Sequence, residues 1–197
     1  STKTLDLAPL AELDNINTLF LSGFKRLAVL DLSPLAQVQA LQALHLNGND
    51  SLTSLDLSPL AKLANLRLLQ INENDKLQSL DLTPLTQHEG LEELEVSGNH
   101  QLTSLTLPAR LDRLHKLSVS SNFVLSAIDL MPLSTLRSLR TLQIHTNGIT
   151  EIDLAPLSSS MSLESLDLGW NFKLLQLNLE PLCQLAGLKN LELRNSN

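Results

Sequence analysis

Residues 41–49 read LQALHLNGN, and similar stretches follow as LRLLQINEN at 66–74, LEELEVSGN at 91–99 and LESLDLGWN at 163–171. Their shared form is L-x-x-L-x-L-x-x-N. Eight copies of this pattern begin, in order, at Ile16, Leu41, Leu66, Leu91, Leu114, Leu139, Leu163 and Leu188. The intervals between these starts are 25, 25, 25, 23, 25, 24 and 25 residues. A period of this length predicts a solenoid, in which each repeat buries its apolar side against its neighbours.

The first half of each repeat predicts a short β-strand. In the copy at 66–74, Leu69 and Ile71 alternate with Leu68, Gln70 and Asn72. A period of two places these two sets of side chains on opposite faces of a strand. Strands from successive repeats then form one parallel sheet. At about 4.8 Å between neighbours, eight strands make an arc of roughly 35 to 40 Å.

The second half of each repeat predicts a short extended segment followed by a helical turn. Residues 77–85 read LQSLDLTPL, and similar stretches occur at 27–35, 52–60 and 149–157. We expect Ser33, Ser58 and Thr83 to act as N-caps. Each is followed by a proline at the first helical position, where the missing N–H is not needed. Leucines at intervals of three fit a single α or 3-10 turn.

Taken together, the two halves resemble the repeat of the leucine-rich repeat family, and the resemblance covers nearly the whole chain. It implies an α/β fold, namely a curved solenoid with a parallel concave sheet and a convex side of short strands and 3-10 or helical turns. No linker interrupts the repeats. We therefore expect residues 1–197 to form a single leucine-rich repeat domain, excised from a longer protein. The family resemblance also implies protein recognition.

An asparagine closes six of the eight copies. A buried amide offers two donors and an acceptor to backbone groups where a strand ends. We interpret this asparagine ladder as structural. Its members are Asn49, Asn74, Asn99, Asn122, Asn147 and Asn171, and the first and last copies carry Phe24 and Ser196 instead.

Composition narrows the classes of partner. A net charge of -7 and a pI near 5.1 argue against nucleic acid, because phosphate binding needs concentrated Lys and Arg. No apolar run approaches the roughly 18 residues of a membrane-spanning helix, so no membrane association is predicted. The single cysteine, Cys183, excludes an internal disulfide and favours a reducing, cytoplasmic location. The oligomeric state is left open.

Three features depart from the regular repeat. His88 and Ser160 occupy the inward position that Leu63 holds in its repeat. A buried polar group without a partner costs about 1 to 3 kcal/mol, so we expect looser packing at both. The stretch LTLPARLDRL at 105–114 is two residues short, and we expect Pro108 to follow the extended segment directly.

An aspartate column invites comparison with a calcium site. It comprises Asp6, Asp31, Asp56, Asp81, Asp129 and Asp153. Stacked carboxylates repel and need compensation. One carboxylate per repeat does not supply the six to eight oxygens that Ca²⁺ takes, so we favour capping of a turn. No metal and no cofactor is predicted.

Residues suited to catalysis are present but are not predicted to meet. His45 and His145 face the concave side four repeats apart, about 20 Å at the strand spacing, and so cannot share a metal or a proton relay. His145 lies near Ser120 on the adjacent strand, with no acid to orient it. Cys183 stands in a column of small residues with Ala36, and we expect it in the core. The chain is therefore predicted not to be an enzyme.

The predicted concave face is polar and varied. Its central column runs through Phe20, His45, Gln70, Glu95, Ser118, Gln143, Asp167 and Glu192. A flanking column alternates in charge and predicts cross-strand pairs worth about 0.2 to 1 kcal/mol each. That column is Arg67, Glu92, His115, Arg140, Glu164 and Lys189. The trio Glu92, Glu93 and Glu95 is less easily neutralised, although Arg67 and Lys116 are neighbours, and it suits a basic side chain of a partner.

Only five aromatic residues occur, one Trp and four Phe. Trp170 occupies a surface position where other repeats place Gly23 or Gly48, and Phe123 and Phe172 each follow a ladder asparagine. These three side chains either line one rim as a binding cluster, because aromatic residues dominate many interfaces, or tuck into the turn core.

We predict a non-catalytic module that binds a protein or peptide through the concave sheet and the adjacent rim. Two alternatives stay open: a recognition segment within a larger signalling enzyme, effector or adhesin, and a structural spacer. The predicted binding residues are Phe20, His45, Leu68, Gln70, Glu92, Glu93, Glu95, Gln143, His145, Asp167, Trp170 and Glu192.

Overall fold

Eight parallel strands, one from each repeat, form a single sheet in a computed structural model that describes residues 3–86 and 88–194. The sheet strands are β1 (Thr18–Phe20), β2 (Ala43–His45), β3 (Leu68–Gln70), β5 (Glu93–Ser97), β7 (Lys116–Ser120), β8 (Thr141–Gln143), β9 (Ser165–Asp167) and β10 (Asn190–Glu192). They pair in chain order. The curved leucine-rich repeat solenoid predicted from the sequence is confirmed.

The register of the sheet follows the leucine pattern. Leu69 at the centre of β3 pairs with Leu44 on one side and Leu94 on the other, and all three are fully buried. The side chains between them, such as Gln70, are only half-buried because they lie on the concave face. A shift of one residue would exchange the two faces, so the alternation fixes the register.

Short 3-10 helices connect the strands on the convex side. They are η1 (Ala8–Glu12), η2 (Ser33–Gln37), η3 (Ser58–Lys62), η4 (Thr83–Leu85), η5 (Met131–Thr135), η6 (Ala155–Ser159) and η7 (Glu180–Gln184). Each has a proline in its first turn, and no α-helix occurs within the described ranges. None of these helices has the length or apolar character needed to cross a membrane.

The capping residue is the aspartate, and our prediction that Ser33, Ser58 and Thr83 are the caps is wrong. The Oδ1 atom of Asp56 accepts the backbone N–H of Ser58 at 2.9 Å, and the same contact recurs throughout the aspartate column. Hydrogen bonds from the Ser58 side chain and backbone lower the pKa of Asp56. The aspartate side chain accepts this N–H because it lies two residues before the amide, which is the spacing of an Asx turn.

The shortened repeat carries no helix. Within 105–114, Pro108 follows the extended segment directly, as predicted, and Arg110 adopts a left-handed φ of 55°. The preceding extended segments, β4 (Ser79–Asp81) and β6 (Ser104–Thr106), pair in parallel as a second, two-stranded sheet.

The asparagine ladder is structural, as predicted. Asn99 is fully buried; its Oδ1 accepts the Asn74 N–H at 3.0 Å and its Nδ2 donates to the Ile71 carbonyl at 2.8 Å. Equivalent contacts link every ladder asparagine from Asn49 to Asn171. Phe24 ends the ladder by donating its N–H to Asn49, and Ser196 lies outside the described residues.

Cys183 is exposed, so our expectation that it belongs to the core is wrong. It follows Leu182, the buried residue of η7, and the next residue of a tight 3-10 turn points away from the core. The same geometry leaves Ala61, its counterpart in η3, exposed.

His88 and Ser160 are buried polar residues with unsatisfied atoms, as expected from their positions. His88 Nδ1 accepts the N–H groups of Gly90 and Leu91 at 3.2 Å, whereas its Nε2 and the Ser160 hydroxyl lack partners among the described residues. Burial lowers the pKa of His88, and nearby carbonyls of Leu63 and Leu60 offset this only in part.

Replacing His88 with leucine should flatten the response of the fold to mild acid without stabilising it. The change removes the unsatisfied Nε2 but also the acceptor of the Gly90 and Leu91 N–H groups, and each buried group left without a partner costs about 1 to 3 kcal/mol, so the variant should be no more stable than wild type at pH 7.5. Because the native pKa is lowered, the unfolded state binds more protons as pH falls below about 6.5, so wild-type stability declines there. Urea denaturation at pH 7.5 and 5.5 measures both effects.

Ser160→Leu is the matched control, since it repairs the same position in another repeat without removing a titratable group. It should stabilise the protein equally at both pH values. If the stability of His88→Leu still declined as strongly between pH 7.5 and 5.5 as that of the wild type, the acid sensitivity could not be assigned to His88.

Candidate functional site

A connected polar network crosses the N-terminal half of the concave sheet. It begins at β1, where the exposed Phe20 ring stacks on His45 with centroids 4.3 Å apart and planes 7° apart. His45 Nδ1 contacts Gln70 Oε1 at 2.6 Å, and Gln70 Nε2 donates to Glu95 Oε2 at 2.7 Å. Consecutive strands thus hold these side chains in fixed positions, at one per repeat.

The network ends in two carboxylates that share one lysine. Lys116 Nζ lies 2.6 Å from Glu95 Oε1 and 3.7 Å from Glu93 Oε2, and the hydrogen bond to Glu95 raises the pKa of Lys116. Within the described part of the chain, the one further possible ion-pair partner of Glu93 is His115, whose Nε2 lies 3.7 Å away and carries charge only when the ring is protonated. Glu93 is therefore the less neutralised member of the acidic trio.

The charge-alternating column forms the expected cross-strand pairs. Arg67 pairs with Glu92. Arg140 and Lys189 approach the two oxygens of Glu164 at 3.2 and 2.7 Å, and the contact with Lys189 is the main reason that the pKa of Glu164 is lowered. These pairs are solvent-exposed, so each contributes little to stability, and they leave their residues accessible to a partner.

Beyond the network, the C-terminal half of the central column has few contacts. Asp167 Oδ1 accepts the Gly169 N–H at 2.9 Å, and Asp167 has no ion pair within the described chain. Gln143 lies half-buried between Ser118 and Asp167 in the paired strands. Glu192 pairs with Arg194 at 2.9 Å.

Trp170 and Phe172 form an exposed aromatic pair on the rim beside β9. Their rings meet edge to face with centroids 5.9 Å apart, and 42% and 51% of their surfaces remain exposed. Trp170 has a left-handed φ of 59°, and the equivalent turn residues of the other repeats also have positive φ, whether they are glycines or not: Gly23, Gly48, Glu73, Gly98, Ser121 and Thr146. This φ is therefore a property of the repeat turn.

Phe123 belongs to a different cluster from Trp170. Its ring stacks on His100 at 5.1 Å, and His100 Nδ1 contacts Asp75 Oδ1 at 2.7 Å. Phe123 is also half-exposed, so none of the three aromatics fills the turn core. Sequence reasoning missed this cluster, although Asp75, His100 and Phe123 occupy the same position in three successive repeats.

The arrangement of the histidines, serines and carboxylates offers little support for nucleophilic catalysis or metal binding. His145 Nδ1 contacts the Thr146 hydroxyl at 3.0 Å, while Ser120 Oγ contacts Ser97 Oγ at 2.9 Å, so the histidine and the serine engage other groups. Across residues 3–86 and 88–194, no three His, Cys, Asp or Glu side chains are placed to hold a metal ion.

The predicted site residues therefore fall into two groups. The network and its flanks bring together Phe20, His45, Leu68, Gln70, Glu92, Glu93 and Glu95, and the C-terminal half carries Gln143, His145, Asp167, Trp170 and Glu192. Leu68 is half-buried on β3 beside the network. Lys116, which the sequence analysis placed beside the acidic trio, contacts both Glu93 and Glu95.

Comparison with solved structures finds other leucine-rich repeat proteins. Over 95% of its length the chain is 26% identical to internalin C2 of Listeria monocytogenes, with a TM-score of 0.50, and it spans 66% of that chain. Over 95% of its length it is 25% identical to TLR13, solved in complex with ssRNA13, with a TM-score of 0.72, and it spans 26% of that chain. No protein-family model and no curated protein matches the chain.

The repeat, the parallel sheet and the asparagine ladder, together with these structural neighbours, define the class. The chain has the leucine-rich repeat fold. It spans less than two thirds of both neighbours described above.

Proposed function

We propose that this chain is a non-catalytic recognition module that binds a protein or peptide on its concave sheet and the adjacent rim. The observation that carries the proposal is the exposed pair of Trp170 and Phe172 beside a rigid polar sheet face. Exposed aromatic residues on a rigid support lose little side-chain entropy on binding, and Trp is enriched at the energetic centres of interfaces.

The rigidity of the face supports the same function. Its side chains sit on strands whose positions are set by the buried leucines and the ladder, so a partner meets a preformed surface. TLR13, a structural neighbour with a TM-score of 0.72, was solved in a complex, so a binding role has a precedent on this fold. The residues of this face, from Phe20 to Glu192, are the proposed contacts.

A protein or peptide is the better proposal than nucleic acid. The TLR13 neighbour was solved with ssRNA. The present chain carries a net charge of -7, and each basic side chain on its concave face already contacts a carboxylate. Among the described residues of this face, a strand of phosphates would therefore meet no Lys or Arg side chain that lacks an acidic partner.

The test is affinity capture from source-cell extract with the wild-type chain and with a Trp170→Ala, Phe172→Ala variant. Loss of two rim aromatics should lower the recovery of a true partner by about tenfold or more, equivalent to about 1.4 kcal/mol or more of binding free energy. Quantitative mass spectrometry measures the recovery, and circular dichroism confirms that the variant is folded.

Met161→Ala is the matched control, because Met161 is 62% exposed and lies in the turn after η6 on the convex side. It removes an exposed apolar side chain but should leave recovery unchanged. Equal recovery by all three proteins would favour a structural spacer instead.

A further inference from the structure

The basic side chains of the concave face are all engaged within the sheet, while some of its carboxylates are not. Arg67, Lys116, Arg140, Lys189 and Arg194 each contact a glutamate. Asp167 has no cationic neighbour in the described chain, and Glu93 has only contacts of 3.7 Å. The unbalanced charge of this face is therefore negative and is concentrated at two places.

Asp167, the second of these two places, lies close in the sequence to the exposed Trp170. Asp167 ends β9, and Trp170 follows three residues later at the rim, with Gly169 folded back onto the Asp167 carboxylate. A carboxylate next to an exposed indole suits an arginine or lysine, because the cation gains both an ion pair and a cation–π contact.

We infer that the concave face binds an extended peptide segment carrying two basic side chains four positions apart, one contacting Glu93 and the other contacting Asp167 and Trp170. This inference rests on the proposed function and names the chemistry of its partner. The charge complementarity between this face and a dibasic segment is what selects the occupant.

The sheet geometry sets the spacing. Glu93 begins β5 and Asp167 ends β9, which lies three strands further along the sheet. Three spacings of about 4.8 Å and an offset of two residues along the strand give about 16 Å between the two positions. An extended chain covers that distance in four to five residues at roughly 3.3 to 3.6 Å each.

Alternation within the peptide agrees with this spacing. Residues four apart in an extended segment project to the same side, so both basic side chains face the sheet. The residues between them pass over β7 and β8, where Ser118 and Gln143 are uncharged and Lys116, in register with Glu93, is hydrogen-bonded to Glu95.

The test uses the intrinsic fluorescence of Trp170, the only Trp in a chain without Tyr. The probe is an acetylated, amidated peptide of sequence GSRSTSRSG, titrated at low salt. Its comparisons are the charge-reversed GSESTSESG and the closely spaced GSSRSRSSG. We expect a saturable spectral change with the first peptide and an apparent Kd at least about fivefold weaker with the other two.

Two double variants distinguish the contribution of Glu93 and Asp167 to peptide binding from the effect of the protein's net charge. Glu93→Gln with Asp167→Asn should weaken binding of the dibasic peptide by about tenfold, and the new amide of residue 167 can still accept from Gly169. Glu12→Gln with Glu180→Gln removes the same charge from exposed positions in the convex helices η1 and η7 and should leave the Kd within about twofold.

Three results would overturn the inference: no saturable change up to millimolar peptide, equal binding of the charge-reversed peptide, or tighter binding of single-stranded RNA than of the dibasic peptide. A captured partner that needs Trp170 and Phe172 but is insensitive to the Glu93, Asp167 variant would remove this inference and leave the proposed function standing.

Discussion

Asn122→Ala is expected to destabilise the protein by about 2 to 4 kcal/mol. The wild-type Oδ1 accepts the Asn99 N–H at 3.0 Å, and Nδ2 donates to the Val96 carbonyl at 3.1 Å. Alanine leaves both backbone groups buried without partners, and each such loss costs about 1 to 3 kcal/mol. The urea midpoint measures the effect, and hydrogen exchange of the Asn99 amide should accelerate because its acceptor is gone.

Asn65→Ala serves as the comparison. Asn65 also donates to a backbone carbonyl, that of Gln39 at 2.8 Å, but from an exposed position where water replaces the lost bond. Its effect should stay below about 1 kcal/mol. Similar losses for Asn65 and Asn122 would mean that burial of the ladder does not determine its contribution.

Leu117→Ala should destabilise the protein by about 2 to 5 kcal/mol, the usual cost of a buried leucine. Leu117 is fully buried at the centre of the sheet and pairs in register with Leu94 and Leu142. The neighbouring strands are held by their own hydrogen bonds, so the coil cannot close around the missing side chain. Chemical denaturation of the purified variant measures this loss.

Leu175→Ala removes the same atoms from a side chain that is 80% exposed. It should change the unfolding free energy by less than about 0.5 kcal/mol. A large effect at Leu175, or a small one at Leu117, would contradict the assignment of inward and outward positions.

The fold could be predicted because its information is periodic. Leucines such as Leu69 and Leu94 recur at one spacing, and a period repeated eight times leaves one register and one stacking direction. The ladder was predictable for the same reason, since Asn74 and Asn99 close successive strands at points where backbone groups need partners.

Contacts between different columns were harder to predict. Whether Asp56 or Ser58 caps η3 depends on a backbone angle that the sequence does not specify, and the exposure of Cys183 depends on the turn being 3-10. The sharing of Lys116 by Glu93 and Glu95 depends on side-chain conformations across two strands. Periodicity assigns a residue to a column but does not specify its contacts with residues of another column.

The pairing of β4 with β6 gives the solenoid an uneven stiffness. Between these repeats the backbone is hydrogen-bonded on the concave side, through β3 and β5, and again on the opposite side. Bending a stack of coils requires the coils to separate on one side. Here the hydrogen bonds of the two sheets oppose that separation on both sides. The coils that follow are joined on that side by single backbone hydrogen bonds, such as that from the Thr150 N–H to the Ser126 carbonyl at 3.0 Å, so a load along the axis should flex the segment bearing Trp170 before it flexes the coils joined by β4 and β6.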